Sequence, residues 1–207
     1  RAEWEARREG KVEAQAAAEA RPQKALVWIE LKKEKDAMAT LEGIVEDSSG
    51  GGPVALAHYW RGVLLADKTK WPEAETALRA SLAAAPDAQT AALARLRLAV
   101  VLQRQDRMDE AADQIVPLLE NPRLVAENPA LVEWAVRRHF DQGQYERSLQ
   151  AAVALAQHAA EPSWRQIGWH WAGSSQAQLG RDKEALAFYE KAVAEQAQTR
   201  EGAESQL

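Results

Sequence analysis

An all-α array of antiparallel helix pairs is the fold class this sequence predicts, on three observations. Small and apolar residues return in register every 37 residues along most of the chain. About a fifth of the 207 residues are alanine, while Phe, Trp and Tyr together make up 6%. That composition favours close-packed helices over a sheet of branched and aromatic side chains. Helix start and stop signals also fall at matching points of the period.

The period is carried by four columns. Gly62, Ala99, Val136 and Gly173 form the first, and Ala74, Ala111, Ser148 and Ala185 the second. The third runs Leu78, Ile115, Ala152, Tyr189, and the fourth Ser81, Leu118, Leu155, Ala192. The last three columns are spaced three or four residues apart, so they share one face of a second helix. One period upstream, Ala25, Ala37, Leu41 and Ile44 keep the same order of sizes and predict a weaker, earlier repeat. The expected units are 21–54, 55–91, 92–128, 129–165 and 166–199.

Within each unit the punctuation predicts two helices. Ser163 and Gln166 have capping-box spacing, Gly180 marks a stop, and a second helix is expected from Glu184 to Ala194. Asn128 is expected as an N-cap before Pro129, with Asp141 to Gln144 as an internal turn. Pro53, Pro86, Pro122 and Pro162 fall between units, where a missing amide donor costs little. Pro117 falls inside a second helix, so a kink or early end is expected near Ile115. Ser48 to Pro53, with three glycines, reads as a long inter-repeat loop or a domain boundary. Residues 1–20 read as an N-terminal helix, capping the array or continuing one upstream, and 200–207 as a polar tail.

The remaining composition narrows function. The chain has no cysteine, which excludes disulfides, thiolate metal sites and cysteine nucleophiles and leaves the compartment unread, cytoplasm and bacterial envelope both being compatible. A formal charge of -5 gives no field that would collect a phosphate backbone, so nucleic acid is not an expected partner. No apolar run reaches membrane-spanning length.

These columns resemble the tetratricopeptide repeat (TPR), best at Trp169, Gly173, Gly180, Ala185, Tyr189 and Ala192, with Gly62, Ala74 and Pro86 as a second partial match. The resemblance covers roughly residues 18–199. It implies a right-handed α-solenoid and a concave surface that in the family binds peptides. Units of that family usually run about 34 residues, so the longer step here implies longer connections between pairs. Val136 and Ser148 depart from the pattern. The carboxylate clamp of chaperone-binding members, built from lysines and asparagines, has no counterpart, since the corresponding slots hold Tyr59, Val63, Arg97, Glu133 and Arg137.

A 100° step along the helix near Ala55 puts His58, Arg61, Gly62 and Leu65 on one side and Tyr59, Trp60, Val63 and Asp67 on the other. The second set is expected to face the concave surface. Its images along the period add Arg97, Trp134 and Trp171 to Trp60, and Glu133, Arg137 and His170 to Tyr59 and Val63. Two readings of the recurring tryptophan stand side by side: packing between neighbouring helices, and an anchor for a ligand. Arg97 and Arg137 are candidates to hold a carboxylate, against an intrahelical Glu133–Arg137 pair. Trp28 with Leu31, and Trp164 with Trp169, read as packing; Trp71 before Pro72 resembles a helix-start staple.

Neither catalytic motif nor metal-ligand spacing accompanies His58, His139, His158 and His170. The expectation is a non-catalytic interaction module with no cofactor. It binds a peptide or partner helix through Tyr59, Trp60, Val63, Arg97, Glu133, Trp134, Arg137, His170 and Trp171. Two alternatives remain: self-association through the ends of the array, and a non-catalytic region of a larger protein.

Overall fold

The computed structural model describes residues 20–47, 51–84 and 86–204. The expected N-terminal helix with Trp4, the first half of the glycine-rich loop and the last residues of the tail lie outside them. Among the described residues every regular element is helical. Two compact units result, Arg1–Gln105 and Asp106–Leu207.

The first unit holds α1 (20–30), α2 (Glu34–Asp47), α3 (Gly52–Asp67), α4 (Trp71–Ala83) and α5 (Ala88–Arg104). The second holds α6 (Met108–Asp113), a 3-10 turn (Val116–Leu118), α7 (Pro122–Glu127), α8 (Pro129–Asp141), α9 (Tyr145–His158), α10 (Pro162–Gln178) and α11 (Asp182–Glu204). Residues 200–204 of the expected tail are thus the end of a helix.

One turn geometry links the two helices of each pair. Lys32, Thr69, Asp106, Gly143 and Gly180 all have φ between 56° and 72°, and they recur every 37 residues. The next residue's amide donates back five positions, Lys33 to Trp28, Lys70 to Leu65, Gln144 to His139 and Arg181 to Gln176, at 2.8–3.0 Å. This left-handed cap satisfies carbonyls that the helix end would leave open. Lys32 shares the geometry, so the earliest pair, α1 with α2, obeys the same rule as the later ones.

The columns lie where helices touch. Ala74, Ala111 and Ser148 are fully buried, and Ala185 nearly so. A Cβ built on Gly62 would lie 2.6 Å from Leu78 Cγ, and one on Gly173 would lie 2.7 Å from the Tyr189 ring. The first column therefore leaves room for the third across the α3–α4 and α10–α11 pairs. Where the first column holds Val136, the third holds Ala152, and both are fully buried. Gly168 is as tight and meets backbone: its Cβ would lie 2.6 Å from Ala156 N and 2.7 Å from the Ala152 carbonyl oxygen. There α10 rests on the backbone of α9.

Buried polar groups tie the same seams. Ser81 Oγ donates to the Ala55 carbonyl at 2.7 Å, and Ser175 Oγ donates to Ser148 Oγ at 3.0 Å. Arg165 forks onto Glu195 at 3.1 and 3.0 Å, both partners half-buried, and donates to the Ala160 carbonyl at 2.7 Å. Such paired, charge-assisted bonds outrank the exposed ion pairs of this chain.

The early end expected near Ile115 forms, and several other local expectations are revised. The helix begun at Met108 stops at Asp113, just short of Ile115, and Pro117 sits in the 3-10 turn; with no amide to donate, it prevents the helix from resuming. Asn128 does not cap α8: its amide donates to the Leu124 carbonyl at 2.9 Å, closing the end of α7. Asn121 and Asp87 cap α7 and α5 instead, and the bonds from Thr90 hold the Asp87 carboxyl below the usual range. No capping box forms at Ser163, because Pro162, with its preset φ, starts the helix earlier and leaves Glu161 at the N-cap. Leu31 is exposed rather than packed with Trp28. Trp71 opens α4 instead of preceding it.

The turn and the seams set the sign of three substitutions. Thr69 is β-branched and left-handed, so Thr69→Gly should stabilise by about 1 kcal/mol in urea unfolding. Gly168→Ala should destabilise by about 1–3 kcal/mol despite its better helix propensity, because it meets backbone. Gly62→Ala should do less harm, since its closest contacts are to the Leu78 side chain, which can turn, rather than to backbone.

Candidate functional site

The expected inner-face residues divide by unit, and the division changes their meaning. In the first unit Tyr59 and Val63 are 7% and 6% exposed, which corrects their assignment to an open ligand surface. The 100° step gave their direction but not the helices that cover them. Trp60 meets Tyr59 edge-to-face at 5.1 Å and packs on the cluster of Ala25, Ala37, Leu41 and Ile44. It fills the seam between α3 and the preceding pair, so packing is its role. Burial pushes the Tyr59 hydroxyl up, and the Arg97 guanidinium beside it offsets part of that shift. Arg97 is therefore engaged within its own unit.

In the second unit Glu133, Arg137, His170 and Trp171 converge on one groove of about 500 Å³. Glu133 and Arg137 come from α8, and His170 and Trp171 from α10. The Glu133–Arg137 pair forms, with bonds of 3.2 and 2.7 Å, so the intrahelical reading holds. It does not exhaust Arg137, whose guanidinium also lies 5.9 Å from the Trp171 ring and whose side chain is 60% exposed. Phe140 holds Trp171 edge-on at 5.1 Å. His170 stands 5.6 Å from the Tyr189 ring, and the Tyr189 hydroxyl donates to Ser174 Oγ at 3.2 Å. Trp134 is half-buried and does not line this groove.

The periodic reading missed the other wall. Tyr189, Ala192, Val193 and Gln196 of α11 line the groove, together with Ser163, Gln166 and Ile167 of α10. Val193 is 65% exposed, and an apolar residue so placed on the last helix was the available signal. Ile167, Trp171 and Val193 give the groove an apolar floor. Arg137, Glu133 and Gln196 give it a polar rim. That arrangement suits a ligand with an apolar face and a flanking carboxylate competing with Glu133 for Arg137. Among the described residues there is no group of three or more His, Asp or Glu placed to hold a metal ion.

Comparison with solved structures places this architecture. The chain superposes on YrrB, "a TPR protein with an unusual peptide-binding site", over 91% of its own length and 92% of that chain, with a TM-score of 0.52 at 18% identity. The fold is TPR-like. Structures of MamA from AMB-1 and MSR-1 align over 87% and 88% of this chain and 92% and 98% of theirs, at 19% and 16% identity and TM-scores of 0.48 and 0.47. No protein-family model matches the sequence, and no curated protein matches it. No helix among the described residues is long and apolar enough to cross a membrane.

The two units predict opposite phenotypes. Trp60→Ala should destabilise by about 2–3 kcal/mol, since the partly buried indole packs on the core cluster, whereas Arg137→Ala should stay within about 0.5 kcal/mol of the parent; urea unfolding of each variant checks both. The sign of a pH effect is also set. Burial, then Arg61, holds the His58 imidazole below its ordinary value. The unfolded chain therefore binds the proton first, and stability should fall as pH drops below about 6.5. The fall should be smaller in His58→Gln, measured by thermal unfolding across that range.

Proposed function

We propose that this chain is a non-catalytic interaction module that captures a peptide or partner helix in the groove of its second unit. The observation that carries the reading is the apolar floor of Ile167, Trp171 and Val193 beside the exposed guanidinium of Arg137. A preformed apolar groove with one well-placed charge binds by complementarity and needs no bond-making step. The likeness to YrrB supports a role in binding, since that protein has a peptide-binding site. The formal charge of -5 argues for a protein rather than a nucleic-acid partner.

In this reading Trp171 is the stacking surface, Ile167 and Val193 receive an apolar side chain, and Arg137 receives a carboxylate. His170 and Glu133 border the groove. Trp134 and the first-unit set of Tyr59, Trp60, Val63 and Arg97 have no part in it.

Peptides selected from a random display library against the chain test this directly by fluorescence anisotropy. Ile167→Asp should raise Kd at least about tenfold with Tm unchanged, and Arg137→Glu should select against peptides bearing a carboxylate. Peptides that bind the parent and Ile167→Asp equally would place the site elsewhere and overturn the reading.

A further inference from the structure

The period allows the two terminal helices to be compared with seams that are closed inside the molecule. At the seam between α2 and α3, α2 presents Ala37, Leu41 and Ile44, with Met38 and Val45 beside them, and α3 covers these with Ala57 and Leu64. Arg61 of α3 reaches Glu42 of α2 at 4.0 Å across the same seam.

Four periods after α2 comes α11. Its Ala185, Tyr189 and Ala192 stand in the places of Ala37, Leu41 and Ile44, and Leu186 and Val193 in those of Met38 and Val45. The images of Met38 and Val45 are 60% and 65% exposed on α11. One period before α3 comes α1, where Ala20 and Val27 stand in the places of Ala57 and Leu64. Leu64 is 5% exposed, whereas its image Val27 is 49% exposed. The α9–α10 seam repeats the scheme: Ala156, the image of Val193, is covered by α10 at Gly168, and Ser175, the image of Val27, is bonded to Ser148.

Among the described residues, the outer faces of α11 and α1 are thus the two sides of one seam, each without its counterpart. The charges agree as well. The Arg61–Glu42 pair maps onto Lys24 of α1 and Glu190 of α11, both exposed. We infer that a second copy of this chain docks its α1 onto α11, head to tail, with Val27 against Leu186 and Val193, and Lys24 against Glu190. The contact is heterologous, so each copy keeps one face for the next. Val193 also lines the peptide groove. A docked α1 therefore forms an added wall there, and to that extent the inference builds on the proposed function.

Sedimentation velocity of the 207-residue chain across a dilution series tests it. The parent should associate with rising concentration, and Val27→Glu or Leu186→Glu should each weaken association at least about tenfold. Each variant alone has lost one of the two faces; mixed, they retain one intact pairing and should form dimers and stop there. Lys24→Glu and Glu190→Lys should each weaken association, and the two combined in one chain should restore it. Ile167→Asp lies off this seam, so it should weaken peptide capture at least about tenfold while leaving association intact, which separates failure of the two readings. A parent that stays monomeric to its highest soluble concentration, or a mixture that yields no dimer, would overturn the inference.

Discussion

Close approach of helix backbones through very small side chains is the constraint on which this structure depends. At Gly168 the two backbones come so near that a methyl group would strike a peptide nitrogen and a carbonyl oxygen. Dispersion contacts are individually weak, and they accumulate only when the surfaces meet without gaps. Small residues let the helices meet, and the large residues of the third column fill what remains. Leu78 occupies the space Gly62 leaves, and Tyr189 that of Gly173. The pairing of Val136 with Ala152 reverses the sizes and keeps the sum.

The left-handed turn holds that packing in phase. By ending the first helix at the same residue and returning the chain with the same hydrogen bonds, it presents the second helix at a fixed rotation, so the columns meet in the pairs α3–α4, α8–α9 and α10–α11. The candidate groove is then built from what the repetition leaves uncovered. Internal seams consume Tyr59, Trp60 and Val63 as packing, whereas on α10 and α11 no later helix covers Trp171, Ile167 and Val193 among the described residues. The same slots are packed in one pair and open to the groove in another.

How much of this was legible in the sequence follows from the same physics. The columns could be read because a position that must be small accepts few residue types, and Gly62, Ala74, Ala111 and Gly173 announce themselves. The turn was half legible: Gly143 and Gly180 advertise a positive φ, but Lys32, Thr69 and Asp106 hide the same geometry behind residues that rarely adopt it. Of the site, Glu133, Arg137, His170 and Trp171 were found by period. The α11 wall was not, because a periodic pattern states where a side chain points and is silent on whether another helix covers it. Tyr59 and Val63 failed for that reason in the opposite sense.

A double-mutant cycle on Gly62 and Leu78 measures the central claim most directly, by importing into α3 and α4 the size arrangement of Val136 with Ala152. If exchange of volume across the helix pair governs stability, Gly62→Val and Leu78→Ala should each destabilise, and the double variant should recover, with a favourable coupling of at least about 1 kcal/mol in urea unfolding. Additive losses, with the double variant as weak as the two singles summed, would contradict it.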